Sequence, residues 1–382
     1  MGERRLVIVN QAANYLTVGF ANAFVARGVG VTLLAGSVHE QGERLDERVK
    51  HARLVRWQQR PPWRKALAYG GSLLQAWVLL ITRYRRYEVL FISIPPMAYL
   101  LTLVLPNRCS ALIWDVYPDI FEVTGMSRRH GLYRLWARLN QRAFRRAYRL
   151  FTITEPMRDL LGAYIEKDRV TVMPIWSVFS GDERIPDMQN KLLAESPDRQ
   201  GRFIIQYSGN LGITHNVEAL LDLADALRDD DQFLIQIIGR GPREPVIRAA
   251  VERRGLGNVE MLPFQSDERF VHSLSAADVG VVALNPRVSR GSVPSKAYNL
   301  MAFGIPGLYI AAADSELARY AHDHRTGECF APGDPDGMAS YVRRLADDPD
   351  FYRYYHAGAL RGARGFHRGN ADALASTYLE SD

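Results

Sequence analysis

Between Gly291 and Pro306 the chain changes from loop to helix within a few residues, and the residue types there suit the capture of an anion. The loop Ser289-Arg-Gly-Ser-Val-Pro294 leads into a helix expected to start near Ser295, to carry Lys296, Tyr298 and Asn299 in its first turns, and to stop at Gly304 before Pro306. Unpaired N–H groups at a helix start and a lysine in the first turn attract negative charge. Glycine and serine in the preceding loop let a phosphate come close. An ordinary capped surface helix has the same local composition, so the elements around this stretch must decide.

A second candidate lies in the first half. Ala111 to Trp114 reads as a buried strand that runs directly into Asp115-Val-Tyr-Pro-Asp119. In an open parallel sheet, residues just past a strand's carboxyl end line the ligand crevice, so Asp115 is either a site residue or the cap of a turn.

The elements that would hold these residues alternate strand and helix. Leu6 to Val9, a helix from Val18 to Arg27 closed by Gly28, and Val31 to Ala35 make a βαβ unit. Gly28-x-Gly30 follows the helix, so it is a helix stop and not a dinucleotide fingerprint. Val89 to Ile94, Phe151 to Thr154 and Val170 to Met173 are further strands. From Ile175 to about Gly201 periodicity is lost and Pro, Asp, Ser and Gln accumulate, as in a linker. The alternation then restarts with Phe203 to Tyr207, a glycine turn Ser208 to His215 and a helix from Val217 to Leu227. Phe233 to Ile238 ends in Gly239-Arg-Gly-Pro242, and Val259 to Leu262, a helix around Phe270 to Ala276 and Val279 to Ala283 lead back to the lysine stretch. A domain length of 1–180, a linker of 181–202 and a second domain of 203–361 fit a chain of 382 residues. Two such domains joined by a hinge are expected to leave a ligand cleft.

Composition narrows the chemistry. Cys109 and Cys329 are the only cysteines and are far apart, which fits a reducing cytoplasm and no structural zinc. The histidines are scattered, and His322-x-His324 lacks neighbouring ligands, so no protein-held metal is expected. The opening Met-Gly-Glu-Arg-Arg runs straight into a strand and does not read as a signal peptide. Ala66 to Thr82 is uncharged but carries Gly70, Gly71, Ser72 and Gln75, and Val89 to Asn107 is broken by Pro95-Pro96; both are read as soluble core.

Charge is uneven. Residues 1–180 hold 26 Lys/Arg against 13 Asp/Glu, and the remainder holds 22 against 29. A basic half points to a phosphorylated substrate or an anionic membrane; no zinc-finger spacing or RNA-binding aromatic signature supports nucleic acid. Leu132, Leu135, Trp136, Leu139, Ala143, Ala147 and Leu150 recur at helical spacing as a packing face, with Arg134, Arg138, Arg142, Arg145 and Arg149 opposite. The first four of these arginines are expected to face lipid headgroups, with Trp57, Trp63 and Trp77 near the basic cluster Arg53 to Lys65.

Six ordered segments resemble one family. They are Ser208-Gly-Asn-Leu-Gly212, Ile238-Gly-Arg-Gly-Pro-Arg243, Asn258-Val-Glu-Met-Leu-Pro-Phe264, Ala277-Asp-Val-Gly280, Val293-Pro-Ser-Lys296 followed by Met301 to Pro306, and Gly327 to Asp334. In order and spacing they are similar to the retaining family-4 glycosyltransferases, especially bacterial members that build surface polysaccharides such as lipopolysaccharide or exopolysaccharide. Asp115-Val-Tyr-Pro118 resembles the Asp-x-Trp-Pro of that subgroup.

The resemblance implies an α/β protein of GT-B architecture: two Rossmann-like domains with parallel sheets facing an interdomain cleft, and a C-terminal helix, 362–382, crossing back to the first domain. It implies a hexosyltransferase that needs no cofactor and no metal and takes its sugar from a UDP- or GDP-linked donor with retention. Lipid-linked or saccharide acceptors, and a place on the cytoplasmic face of the cell membrane, go with it. A nucleotide-sugar epimerase or hydrolase, or an inactive nucleotide-binding scaffold, would share the fold. Carried over by position, Gly209 and Asn210 would lie beside the diphosphate, Gly239 and Arg240 near the nucleoside, and Leu262, Pro263 and Phe264 against the base. Ser295 and Lys296 would meet the diphosphate, Asn299 the ribose, and Tyr298 would join the donor site. Lys296 and Asp115 are the expected catalytic residues. Many relatives have two glutamates where this chain has Gly291 and Asn299, and Arg and Lys where it has Asn210 and His215. Trp114 stands where many have His, and Ala13 to Thr17 replaces a glycine-rich loop.

Overall fold

A computed structural model describes residues 4–57, 62–179, 184–195, 199 and 201–380, which divide into two compact units. The first comprises Met1–Val178 with His367–Asp382, the second Phe179–Phe366.

The first unit is built on β1 (Arg5–Val9), β3 (Gly30–Ala35), β5 (Lys50–Arg53), β6 (Glu88–Ile92), β7 (Cys109–Ile113), β8 (Leu150–Thr152) and β9 (Val170–Val172), after a two-residue pair, β2 (Ala12–Ala13) with β4 (Ser37–Val38). The sheet order is β5-β3-β1-β6-β7-β8-β9, all parallel. Near-continuous apolar runs such as Leu6-Val-Ile-Val are what a strand covered on both faces requires, and these residues are fully buried. Helices α1 (Tyr15–Ala26), α2 (Pro62–Ile81), α3 (Gly131–Arg146) and α4 (Glu155–Leu161) supply the connections. The edge strand β5, Lys-His-Ala-Arg, has no apolar alternation and escapes sequence reading.

The second unit begins with α5 (Lys191–Ala194) and has a six-stranded parallel sheet ordered β12-β11-β10-β13-β14-β15. Its strands are β10 (Phe203–Asn210), β11 (Phe233–Arg240), β12 (Val259–Leu262), β13 (Val279–Ala283), β14 (Gly307–Ile310) and β15 (Gly327–Phe330). Helices α6 (Ala219–Ala226), α7 (Glu244–Arg254), α8 (Asp267–Ser275), α9 (Lys296–Ala302), α10 (Glu316–Arg319), α11 (Pro335–Asp347) and α12 (Pro349–Ala363) intervene or follow. The order places the third, second and first strands beside the fourth, fifth and sixth, the doubly wound pattern with its switch point between β10 and β13. In a doubly wound sheet the ligand crevice lies at this switch point, outside the carboxyl ends of the strands.

Three expectations change. The stretch 181–202 is not featureless where described: Leu192 and Leu193 of α5 are buried in a small cluster with Ile204 and Ala276. Residues 181–183, 196–198 and 200 of that stretch lie outside the described residues. Leu132 and Leu135 are more than half exposed, and the buried stripe of α3 is Tyr133, Trp136, Asn140, Ala143 and Phe144. Ala66 to Thr82 is not wholly core either, because α2 turns Leu67, Leu74 and Val78 outward.

The last helix, α13 (Gly369–Leu379), packs within the first unit. Tyr378 meets Phe24 of α1 edge-on at 5.1 Å, and Arg27 bonds Asp372 at 2.8 Å.

A buried polar network fixes the segment after β7. Asp119 accepts hydrogen bonds from the hydroxyls of Tyr133 (2.8 Å) and Tyr164, while the Asn140 amide donates to the Tyr117 carbonyl at 2.6 Å. Replacing Asp119 by Leu removes the acceptor that both buried hydroxyls share and the partner of Arg128. Asp119→Leu is expected to cost about 2–4 kcal/mol in denaturant unfolding. An unchanged midpoint would mean that the network does not hold the segment.

Candidate active site

The crevice of the second unit is formed by strand ends and the loops that leave them. β10 and β11 run in register to their last residues, with Gly209 opposite Gly239 and Asn210 opposite Arg240. A Cβ on Gly239 would collide with the Gly209 carbonyl oxygen, so only glycine lets the two strand ends stay paired here. The backbone N–H of Asn285, just past β13, donates to the Thr214 carbonyl at 2.8 Å and ties the loops across the switch point.

Lys296 opens α9 behind the cap residue Ser295. As a residue it is half-buried, yet its ammonium nitrogen is fully enclosed and has no hydrogen-bond partner among the described residues. The nitrogen rests 3.8 Å from the centre of the Tyr207 ring. It also borders Gly209, where an added Cβ would come within 2.9 Å of it. Enclosure without a counter-charge disfavours the ammonium form and lowers its pKa to about 7.

His215 faces the same cation. Burial first, and the charge of Lys296 second, push its pKa down to about 3, so its imidazole is neutral at working pH. Its Nδ1 lies 3.2 Å from the Thr214 hydroxyl. Asn210 is exposed, and its side chain presses against the glycine positions 212 and 241. The Arg240 guanidinium stacks 4.8 Å from the centre of the Phe264 ring, which is itself 54% exposed. Pro263 and Ser295 are exposed and Asn299 is half-buried on α9. Thus Gly209, Asn210, His215, Gly239 and Lys296 come together, and Arg240 with Phe264 forms an exposed cation and aromatic pair of the kind that covers a planar base.

Tyr298 does not belong to this group. Its side chain is 1% exposed, its hydroxyl bonds that of Tyr320 at 3.1 Å, and its ring packs 4.8 Å from Phe366. Two residues along a helix from Lys296, it points to a different side, which is why it falls in the core. Tyr207, by contrast, escaped the sequence reading. Its signal was strand alternation: two residues before Gly209, it occupies the same face of β10.

In the first unit Asp115 lies half-buried two residues past the end of β7. Burial first, and the charge of Asp115 after it, raise the pKa values of Tyr69 and Tyr117, and the Trp57 indole donates to the Tyr69 hydroxyl at 3.3 Å. Arg134, Arg138, Arg142 and Arg145 are all exposed on α3. Among the described residues, no three His, Cys, Asp or Glu side chains converge as metal ligands, and no helix is long and apolar enough to cross a membrane.

Two family models match this chain, one for group 1 glycosyl transferases over residues 188–360 and one for a glycosyl transferase 4-like domain over residues 13–176. The chain belongs to the family-4 glycosyltransferases of GT-B architecture. It is 26% identical over 193 residues to the putative colanic acid biosynthesis glycosyl transferase WcaI of Escherichia coli K12, an alignment spanning 49% of this chain and 47% of that one. It is 25% identical over 280 residues to the probable glycosyltransferase WbjE of Pseudomonas aeruginosa, covering 71% and 69%. Anabaena HepE, solved in complex with UDP, superposes with a TM-score of 0.70 at 13% identity, over 99% of this chain and 100% of the other.

A lysine held near pKa 7 must take up a proton when an anion arrives beside it. Nucleoside diphosphate affinity is therefore expected to fall by about tenfold per unit as pH rises from 7 to 9. Titration calorimetry in buffers of different ionisation enthalpy should show proton uptake, and Lys296→Ala should abolish both effects.

Proposed function

We propose that this glycosyltransferase moves a sugar from a nucleoside diphosphate sugar to a lipid-linked or saccharide acceptor in surface-polysaccharide assembly, with retention of anomeric configuration. The observation that carries the reading is the enclosed, unpaired ammonium of Lys296 beside the glycine-lined ends of β10 and β11. Transfer breaks the bond between the anomeric carbon and the diphosphate oxygen. The electron pair leaves with the diphosphate, and the acceptor oxygen forms the new bond as its proton passes to the departing diphosphate oxygen. Negative charge grows on the leaving group, so a cation that gains its counter-charge in that step stabilises the transition state. Lys296 supplies this charge, and no protein-held metal or cofactor is invoked.

Arg240 and Phe264 take the base. The UDP held by HepE supports a uridine donor over a guanosine one. Ser295 meets the diphosphate and Asn299 the ribose. The descriptions of WcaI and WbjE as glycosyltransferases, the first in colanic acid biosynthesis, support a polysaccharide product. The basic balance of residues 1–180 and the exposed arginines of α3 support work at the inner face of the cell membrane.

Lys296→Ala is expected to weaken nucleoside diphosphate binding by about 1.5–3 kcal/mol in a calorimetric titration. Unchanged affinity would remove the lysine from the site. Asp115→Asn keeps the shape and removes the charge, and turnover of labelled donor should fall far more than donor affinity does. Wild-type turnover would reduce Asp115 to a turn residue.

A further inference from the structure

The twenty-residue helix α2 is buried along one side only. Ala68, Ser72, Ala76 and Leu80, four residues apart, face the core. On the opposite side Trp63, Leu67, Leu74 and Val78 are 59%, 66%, 61% and 42% exposed, with Gly70 exposed between them. At 100° per residue these four fall within about 60° of one another, a straight stripe roughly 22 Å long from Trp63 to Val78. A hydrophobic stripe of this length on the outside of a folded unit calls for a partner.

Its surroundings state the partner's charge. From Arg48 to Tyr87 the sequence has ten Lys and Arg and no Asp or Glu. Arg53 and Arg56 before the helix, Arg64 in its first turn and Arg83, Arg85 and Arg86 just beyond it are all exposed. The Gln75 side chain holds the first of these segments against the helix: its amide donates to the Arg53 carbonyl at 2.8 Å and its oxygen accepts from the Val55 N–H at 2.9 Å. Between them Val55, Arg56, Arg64, Leu67 and Ala68 line a shallow recess of about 430 Å³.

We propose that this face of α2 lies flat in the headgroup layer of an anionic lipid surface, with Trp63, Leu67, Leu74 and Val78 inserted and the flanking arginines paired to lipid phosphates. An apolar stripe bordered by basic residues, on a helix that does not span, is the pattern of an in-plane membrane helix. A second copy of the chain is a poorer occupant, because it would bring two basic segments together without an acidic group to offset them. The inference rests on the membrane reading above but names a different surface from the arginine row of α3.

The full chain is mixed with vesicles of phosphatidylcholine alone or with phosphatidylglycerol added, and flotation is measured. Leu67→Ser with Leu74→Ser is expected to lower binding to the anionic vesicles by about thirtyfold, since each lost leucine contact is worth roughly tenfold or less when partly inserted. Arg134→Gln, Arg138→Gln, Arg142→Gln and Arg145→Gln together weaken the attraction to anionic lipid but should leave the roughly thirtyfold difference made by the leucines in place. Acyl-brominated lipid should quench tryptophan emission in the wild type and lose most of that quenching in Trp63→Phe. All substituted positions are exposed, and an unaltered thermal transition shows that the fold is kept. Loss of binding in the arginine variant with none in the leucine variant overturns the α2 face and leaves the membrane reading standing. No flotation of the wild type overturns both. A lipid-free dimer in sedimentation that the leucine variant dissolves overturns the lipid occupant.

Discussion

The Lys296 ammonium has no hydrogen-bond acceptor among the described residues, only the face of the Tyr207 ring, and the arrangement of the second unit follows from that constraint. A cation enclosed in this way is stable only part of the time in its charged form, and its field acts on whatever else is nearby. His215 is held neutral by its own burial first and by this field second, and Gly209 offers no side chain that could crowd the nitrogen. The site has a deficit of negative charge that an arriving diphosphate would make good. Asn210 and the neutral His215 add no charge of their own, which concentrates that deficit on one lysine.

Such concentration requires rigid support. β10 and β11 are paired in register up to Asn210 and Arg240, longer than either neighbour, and the pair brings two glycines to the crevice edge. The Asn285 to Thr214 hydrogen bond then ties the loop after β13 to the loop after β10. A small displacement of either strand end would move the lysine relative to its ligand, and positioning errors of an ångström are costly in catalysis. Arg240 and Phe264 extend the same edge outward, one from β11 and the other from the residues after β12.

The first unit solves a different problem. Its sheet carries Asp115 on a segment fixed by the buried Asp119, Tyr133 and Tyr164 network, so a polar cluster deep in the unit sets the place of a half-buried carboxylate. Its outer helices carry arginine and exposed leucine together: Leu132 and Leu135 beside the α3 arginines, and Leu67 and Leu74 on α2. A solubilising surface would have no use for those leucines, since exposed apolar side chains do nothing for hydration.

Much of the fold was readable from the chain itself. Apolar runs bounded by glycine turns marked most central strands, because parallel strands covered on both faces must be apolar throughout. The lysine, the glycine turns and the resemblance to family-4 glycosyltransferases came from residue identity and spacing. Edge strands such as β5 were not legible, since half-solvated backbone makes little demand on side-chain type. Only the tertiary structure decided which side of each helix is covered. Sequence periodicity assigned Leu132 and Leu135 to the core of α3 and treated α2 as buried, but a stripe of leucine records only that a face is apolar, not which neighbour reaches it. The same rule separated Tyr298 from Lys296, two residues apart on one short helix, by sending the tyrosine to the Tyr320 and Phe366 rings and leaving the lysine under Tyr207.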